Sequence, residues 1–177
     1  MAAVYRAIRA LLLSFFPTAW NASNHLAYGA GIDGCTPLSV DETRMGGPFW
    51  NGGIPTRAKR LGGVIAAVDM TTGKVKATTE LDYPNYAGVL ATAGGLVFTG
   101  TIDGTFTAFD DQNLKPLWSF NAGTAITAPP VTYTVNSKQY VAVHVGGGNP
   151  WNLGLLKAAP ELENMEGGSS LFVFAVD

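Results

Sequence analysis

The chain of 177 residues has few cysteines, few histidines and little charge, and each shortage excludes a class of function. Its single cysteine, Cys35, forms no disulfide within the chain and excludes a zinc site built on several thiolates. The histidines, His25 and His144, lie far apart among apolar residues, which favours strand histidines packed or hydrogen-bonded in place over a ligand pair. Eleven basic and thirteen acidic residues form no basic stripe, so nucleic-acid binding lacks electrostatic support.

Long apolar runs are also missing, and none could span a bilayer as a helix. Residues 1–16 come nearest to a targeting signal, because Arg6 and Arg9 precede the apolar run at 10–16. The run is short for a secretory signal, and no small-x-small cleavage site follows it. Its apolar residues also fit one face of a helix. We favour an amphipathic segment without a targeting role, or a misassigned start, over a weak signal peptide.

Glycine, proline and apolar residues are abundant, with 22 glycines, 10 prolines and 47% hydrophobic residues. After Pro17 the sequence alternates short apolar runs with turn residues, which is typical of an all-β chain. We predict loops at residues 30–62 and 146–170, and a last strand that is buried because both of its faces are apolar. The predicted strands are residues 25–29, 64–68, 75–81, 88–93, 96–102, 105–109, 116–120, 131–135, 139–145 and 171–176.

An internal repeat decides the predicted fold. The first copy is AVDMTTGKVKA at residues 67–77, and the second is AFDDQNLKPLW at residues 108–118. Their aspartates, Asp69 and Asp110, are 41 positions apart (110 minus 69), and AVD at residues 175–177 begins a third copy. A period near 40 residues with four short strands per unit is typical of a β-propeller blade. The sequence therefore predicts an all-β, partial β-propeller of two to three antiparallel four-stranded blades with long loops.

The repeat resembles the tryptophan-docking motif Ala-x-Asp-x-x-Thr-Gly-Lys-x-x-Trp of the pyrroloquinoline-quinone (PQQ) dependent, or quinoprotein, alcohol dehydrogenases of the methanol and ethanol type. Residues 88–104 look like the penultimate blade of that family and residues 130–143 like its final blade. Residues 45–50, MGGPFW, resemble part of the loop that precedes them. The resemblance implies two four-stranded sets, starting near Thr18 and Gly88, and a third with three strands.

The chain also departs from the family pattern. Ala77 stands where the motif has its tryptophan, and Leu114 replaces the glycine of the second copy. Cys35 resembles a family cysteine that pairs with one upstream, and residues 1–16 do not resemble the family. We therefore treat residues 1–16 as a divergent segment and residues 17–177 as the C-terminal blades of a quinoprotein propeller, a fragment of a longer enzyme.

The resemblance implies PQQ with calcium or a lanthanide as cofactors, oxidation of a small primary alcohol to the aldehyde, an electron acceptor such as a cytochrome c, and a periplasmic location. The family's metal ligands and catalytic base lie upstream of the part that this chain resembles, so no catalytic or metal-ligating residue is assigned. The glycine-rich loop at residues 146–151, GGGNPW, corresponds to one whose tryptophan contacts PQQ. Trp151 or Asn149 is therefore the candidate cofactor-binding residue, and the alternative is that Trp151 packs under the following loop.

Several other features favour ordinary structural roles. Asp33, Asp41 and Glu42 have oxygen ligands suited to calcium, but their spacing favours solvated loop charges. We expect Trp118 to pack between blades and the glycosylation sequon at residues 21–23 to be a chance occurrence. The alternative function is a non-catalytic PQQ-repeat scaffold that binds proteins through its sheet edges. Open sheet edges also predict self-association.

Overall fold

The computed structural model describes residues 17–35, 38–39, 54–55, 60–146, 159–162, 165 and 167–176, and these are almost entirely strands and turns. One 3₁₀ turn, Pro160–Leu162, interrupts them. The strands of these residues are β1 (Ala19–Asn21), β2 (Leu26–Cys35), β3 (Leu38–Ser39), β4 (Ile54–Pro55), β5 (Arg60–Asp69), β6 (Val75–Leu81), β7 (Val89–Ala91), β8 (Leu96–Gly100), β9 (Thr105–Asp110), β10 (Pro116–Asn121), β11 (Val131–Val135), β12 (Lys138–Gly146) and β13 (Ser169–Val176).

These strands form three successive antiparallel sheets, here called blades 1, 2 and 3. Blade 1 has the order β1-β2-β5-β6, blade 2 has the order β7-β8-β9-β10, and blade 3 has the order β11-β12-β13. A separate two-stranded sheet joins β3 to β4. Two four-stranded sheets followed by a three-stranded one confirm the predicted all-β blade architecture.

The repeated aspartates occupy equivalent corners of blades 1 and 2, each at the end of the third strand. In blade 1, one carboxylate oxygen of Asp69 accepts the backbone N–H groups of Thr71 and Thr72 at 2.8 and 3.0 Å. In blade 2, Asp110 accepts those of Gln112 and Asn113 at 2.9 and 3.0 Å. These paired bonds fix both tight turns, because they occupy backbone donors that the strands leave unpaired.

Each corner also requires a left-handed residue four positions after its aspartate. In blade 1 it is Gly73, with φ of 70°, and in blade 2 it is Leu114, with φ of 56°. Glycine adopts this conformation freely, whereas leucine is strained in it. Leu114 is fully buried between blades 1 and 2, so packing offsets the strain.

Blade 2 lies between the other two. Alternate side chains of its strands point to opposite faces, so one face packs on blade 1 and the other on blade 3. On β8, Val97 packs in the cluster with blade 1 and Phe98 in the cluster with blade 3. On β9, Phe109 and Phe106 divide in the same way. The two clusters stack the three blades in chain order.

Trp118 on β10 packs between blades, as predicted. Its ring centroid lies 5.2 Å from that of Phe174 on β13 and 6.3 Å from those of Phe106 and Phe120. Trp118 nevertheless remains 42% exposed.

Three sequence predictions were wrong in part. Residues 30–62 are not all loop, since β2 continues through Cys35 and β5 begins at Arg60. The last strand is not buried on both faces: Leu171 is 65% and Val173 47% exposed, because no described sheet packs against that face of β13. His25 is not a strand residue but precedes β2 in a turn, with a left-handed φ of 58°. His144 does lie on β12, where its Nε2 contacts Ser169 Oγ at 2.9 Å.

Candidate functional site at the loop end of the blades

The stacked blades have two different ends. The Asp69 and Asp110 corners mark the end that we call the turn end. At the opposite end, the loop end, the connections from second to third strands and between successive blades meet in one apolar cluster. That cluster consists of Leu61, Tyr83, Tyr86, Ile102, Ala125, Ala159, Leu162 and Met165. The loop end therefore joins all three blades, and Gly146, the first residue of the predicted cofactor loop, lies there.

The base of that loop is closely fixed where β12 ends. Gly146 donates its N–H to the carbonyl of Ala125 at 2.9 Å, which ties the loop to the connection entering blade 3. A Cβ at Gly146 would lie 2.5 Å from the carbonyl oxygen of Gly168, so any side chain there would push the end of β12 away from the start of β13. Trp151 and Asn149, the predicted cofactor-binding residues, lie outside the described residues, and their assignment stays a prediction.

A shallow groove of about 240 Å³ runs between β6 and the face of blade 2. Seven hydroxyl-bearing side chains line it, from Thr79, Tyr83, Thr99, Thr101, Thr105, Thr107 and Ser119, together with the carboxylates of Glu80, Asp82 and Asp103. Asp103 is already engaged, since it accepts the hydroxyls of Thr101 and Thr105 at 2.5 Å each. The described lining holds no histidine, lysine or arginine, so its polar side chains are hydroxyls and carboxylates.

Two phenols at the loop end hold their protons more tightly than free tyrosine. Burial raises the pKa of Tyr86 to about 12. The pKa of Tyr83 is also raised, first by burial and then by the negative charges of Glu161, Asp103 and Asp82. Both are therefore neutral hydrogen-bonding groups at physiological pH rather than bases.

The described residues do not by themselves form a metal site. They contain no group of three or more histidine, cysteine, aspartate or glutamate side chains placed to hold a metal ion. Asp33 lies on β2, where it is partly buried, whereas Asp41 and Glu42 lie outside the described residues. The side chain of Cys35 is likewise outside them. No reaction step through PQQ or a metal is therefore derived from this part of the chain.

In the same part of the chain, no helix combines the length and the apolar character needed to cross a membrane.

Sequence reasoning missed a polar cluster at the turn end, between blades 1 and 2. Asp111 is only 7% exposed, and one of its carboxylate oxygens accepts the side-chain N–H groups of Asn21 and Asn24 at 3.0 and 2.8 Å. The hydroxyl of Tyr28 donates to the backbone carbonyl of Asp111 at 2.9 Å. The only sequence signal is the doubled aspartate at residues 110 and 111, which lies between the predicted strands 105–109 and 116–120.

The cluster also bears on the sequon at residues 21–23. Asn21 is buried, and its Nδ2, the atom that would carry a glycan, donates to Asp111. Its Oδ1 accepts from the backbone and hydroxyl of Ser23 at 3.0 and 2.6 Å. Glycosylation of the folded chain would break this arrangement, which supports the expectation of a chance occurrence.

Comparison with known proteins agrees with this architecture. Residues 58–141 match the family model described as glucose/ethanol/alcohol dehydrogenase, β-propeller domain, which is named for PQQ. The chain is 41% identical over 128 residues to quinoprotein alcohol dehydrogenase PedE of Pseudomonas putida, covering 70% of this chain and 20% of the relative. It is 46% identical over 100 residues to quinoprotein ethanol dehydrogenase of Pseudomonas aeruginosa, covering 54% of this chain and 16% of the relative.

Solved structures give the same result. Quinohemoprotein alcohol dehydrogenase from Comamonas testosteroni matches 92% of this chain with a TM-score of 0.71 and 27% identity, over 26% of its own length. A europium-containing methanol dehydrogenase matches 91% with a TM-score of 0.70 and 26% identity, over 32% of its own length. The chain thus spans about a fifth of the length of the curated relatives named above, and its residues 58–141 belong to the PQQ β-propeller domain family, which the quinoprotein alcohol dehydrogenases share.

Proposed function

We propose that the chain is the C-terminal part of a PQQ- and metal-dependent alcohol dehydrogenase that oxidises primary alcohols to aldehydes. The observation that carries the proposal is the pair of equivalent Asp69 and Asp110 corners on stacked four-stranded sheets, within a segment that matches the quinoprotein propeller. In such an enzyme PQQ, with calcium or a lanthanide, supplies the acceptor for two electrons. The protein supplies placement and hydrogen bonds.

The contribution of this chain would be made at the loop end. Gly146 and the apolar cluster hold the base of the glycine-rich loop, and that loop carries Trp151 and Asn149. An indole N–H is a donor only, so Trp151 suits a carboxylate of PQQ, whereas the Asn149 amide both donates and accepts. Because the catalytic base and metal ligands belong to other parts of such enzymes, the chain alone should bind PQQ weakly and turn over no alcohol.

A chimera tests the proposal. The corresponding segment of the Pseudomonas aeruginosa ethanol dehydrogenase is replaced by residues 61–177 of this chain, and PQQ binding and ethanol-dependent dye reduction are measured with Ca²⁺. A functional chimera is expected, because the two sequences are 46% identical over 100 residues. A folded chimera that neither binds PQQ nor oxidises ethanol would contradict the assignment.

The same chimera tests the cofactor contact. Trp151→Phe keeps an aromatic ring but removes the N–H donor, and should weaken PQQ binding by about tenfold or more, the value of a hydrogen bond to a charged group. Asn149→Ala tests the alternative position. Trp118→Phe is the matched control, because Trp118 packs at the blade interface, near the turn end. Unchanged binding in both loop variants would remove these residues from the site.

The remaining expectations follow from the same proposal. A periplasmic location and a cytochrome c as electron acceptor would suit a quinoprotein dehydrogenase, and fractionation and reduction assays with a purified cytochrome c test them.

A second candidate is a non-catalytic propeller scaffold that binds proteins through sheet edges, and the outer edge of β13, which no described strand covers, favours it. A scaffold has no need of a donor in the glycine-rich loop. Trp151→Phe in the chimera therefore separates the two candidates.

A further inference from the structure

We propose that the groove between blades 1 and 2 binds a neutral polyhydroxyl molecule of monosaccharide size. One wall of the groove is the outer strand of blade 1, β6, and the other is the face of blade 2 formed by β8, β9 and β10. Both walls belong to consecutive blades of this chain, so no further blade is needed to form the groove. The proposal does not rest on the proposed enzyme activity.

The equivalent region between blades 2 and 3 is filled by aromatic rings. Trp118 and Phe120 of β10, the outer strand of blade 2, face Phe172 and Phe174 of β13. Three pairs among these rings have centroids 5.2, 5.2 and 5.3 Å apart. Rings at these separations are in close contact. The aromatic side chains therefore occupy the space between blades 2 and 3.

The repeat shows that blade 1 lacks two of these rings. The first two copies of the repeat are offset by 41 residues (110 minus 69). Ala77 of β6 therefore corresponds to Trp118 of β10. Thr79, two residues further along β6, corresponds to Phe120. Ala77 packs towards blade 2, and the Thr79 hydroxyl donates to a blade 2 carbonyl, so both face the neighbouring blade as the two rings do.

The facing wall lacks the other two rings. The AVD at residues 175–177 follows the AFD at residues 108–110 by 67 residues (175 minus 108). Thr107 of β9 therefore corresponds to Phe174 of β13. Thr105 corresponds to Phe172. An alanine and three threonines thus stand where the next pair of blades has four aromatic rings, and the groove lies at this place.

Hydroxyl groups form a row across the blade 2 wall. Thr107 of β9 lies opposite Thr99 of β8 on one side and opposite Ser119 of β10 on the other. Directly opposed residues point to the same face of a sheet, so the three hydroxyls lie side by side in the groove. Each hydroxyl can donate one hydrogen bond and accept others, as the hydroxyls of a sugar ring do.

The end of the groove nearest the loop end adds oriented acceptors. Thr101 and Thr105 both donate their hydroxyl protons to Asp103, which leaves lone pairs of the two threonine oxygens to accept from a ligand. Tyr83 adds a phenol that is neutral at physiological pH, because burial and nearby negative charges raise its pKa. A ligand that carries several hydroxyls matches this mixture of donors and acceptors.

The same lining argues against other ligand classes. Its described residues include no histidine, lysine or arginine to bind an anion. The described residues also hold no group of three or more side chains placed to bind a metal ion. The volume of about 240 Å³ is several times the share of one water molecule, about 30 Å³, and below the about 300–1,000 Å³ typical of pockets for drug-sized ligands. These limits favour a small, neutral ligand.

The test is an NMR titration of the isotope-labelled chain with glucose, which follows the backbone amide signals. Glucose should shift the signals of Thr79, Thr107 and Ser119 with a dissociation constant of about 1 mM, the strength expected of so small a ligand. Glucose 6-phosphate should bind more weakly, because its phosphate would lie near carboxylates without a cation to hold it. Spermidine, a cation without hydroxyls, should also bind more weakly.

Two variants test the row of hydroxyls. Thr107→Val keeps the shape of the side chain but removes the central hydroxyl, so it should weaken glucose binding by about threefold to tenfold. Thr134→Val is the matched control, a threonine on strand β11 of blade 3 outside the groove lining, and should leave binding unchanged. Thr107→Phe introduces the ring found at the equivalent position of blade 3 and should abolish binding by filling the groove.

Four results would overturn the proposal. No shift of the groove signals at tens of millimolar glucose would show that the groove holds only solvent. Tighter binding of spermidine than of glucose would assign the groove to organic cations. Unchanged glucose binding by Thr107→Val would remove the hydroxyl row from the site. An equal loss in Thr107→Val and Thr134→Val would place the bound glucose elsewhere on the chain.

Discussion

The strained leucine at the blade 2 corner gives the sharpest test of how the blades are held together. Leu114 occupies the left-handed position that glycine fills in blade 1, and it is completely buried between blades 1 and 2. Its carbonyl also accepts the hydroxyl of Thr79 from β6 at 2.7 Å. Replacing Leu114 by glycine, the residue at this position in blade 1, removes both the backbone strain and the side-chain packing. The larger of the two effects decides whether the free energy of unfolding rises or falls.

The magnitudes favour destabilisation. Relief of the left-handed strain is worth about 1–2 kcal/mol. Deleting a fully buried leucine side chain costs about 2–5 kcal/mol, and the greater freedom of glycine in the unfolded chain adds about 0.5–1 kcal/mol. Leu114→Gly should therefore lower the free energy of unfolding by about 0.5–5 kcal/mol.

Urea unfolding followed by tryptophan fluorescence measures this change. Gly73→Leu is the matched variant in blade 1, where a Cβ would meet no atom within 4 Å. It acquires about 1–2 kcal/mol of strain without the packing, and the lower freedom of leucine in the unfolded chain offsets about 0.5–1 kcal/mol, so Gly73→Leu should lose at most about 1.5 kcal/mol. A Leu114→Gly variant as stable as the parent would refute the argument that packing between the blades outweighs the backbone strain.

Three further predictions concern polar groups. Asp111→Ala leaves the amides of Asn21 and Asn24 without their shared acceptor, so it should lower the free energy of unfolding in urea by about 2–4 kcal/mol. A loss below about 0.5 kcal/mol would show that this cluster does not hold blades 1 and 2 together. Backbone hydrogen bonds from Thr72 and Thr71 lower the pKa of Asp69 below 3.8. The ionised carboxylate therefore stabilises the fold above that value, and the stabilisation is lost as pH falls through the folded pKa. In thermal unfolding, Asp69→Asn should be less stable than the parent at pH 7, and the difference between the two should shrink towards pH 3. Burial raises the pKa of Tyr86 to about 12, so the free energy of unfolding should decline from pH 10 upward as the phenol of the unfolded chain ionises. Tyr86→Phe should remove that part of the decline. The same pH profile in the variant and the parent would contradict this role of Tyr86.

Local patterns in the sequence predicted most of the fold, because strands and turns here follow short-range chemistry. The strands at residues 75–81 and 131–135 have the predicted bounds. The repeat predicted the positions of both aspartate turns. An aspartate carboxylate that accepts the backbone N–H groups two and three residues later forms the same turn wherever the pattern recurs.

The errors arose where long-range contacts decide the structure. The glycines in residues 30–35 and 60–63 suggested a loop, yet these residues pair across β2 and β5, where Gly62 and Gly63 allow close backbone approach. The apolar last strand suggested burial on both faces, whereas burial depends on whether another sheet or strand covers it. The Asp111 cluster joins residues about 90 positions apart, which no local pattern records.

The contact between Trp118 and Phe174 tests the stacking of consecutive blades most directly. These rings lie in different sheets, with centroids 5.2 Å apart. An NMR spectrum of the labelled chain should show nuclear Overhauser effects between them as well as between Trp118 and Phe106 within blade 2. If the effects within blade 2 appear and those to Phe174 do not, the sheets fold without stacking, and the propeller account together with the quinone assignment is contradicted.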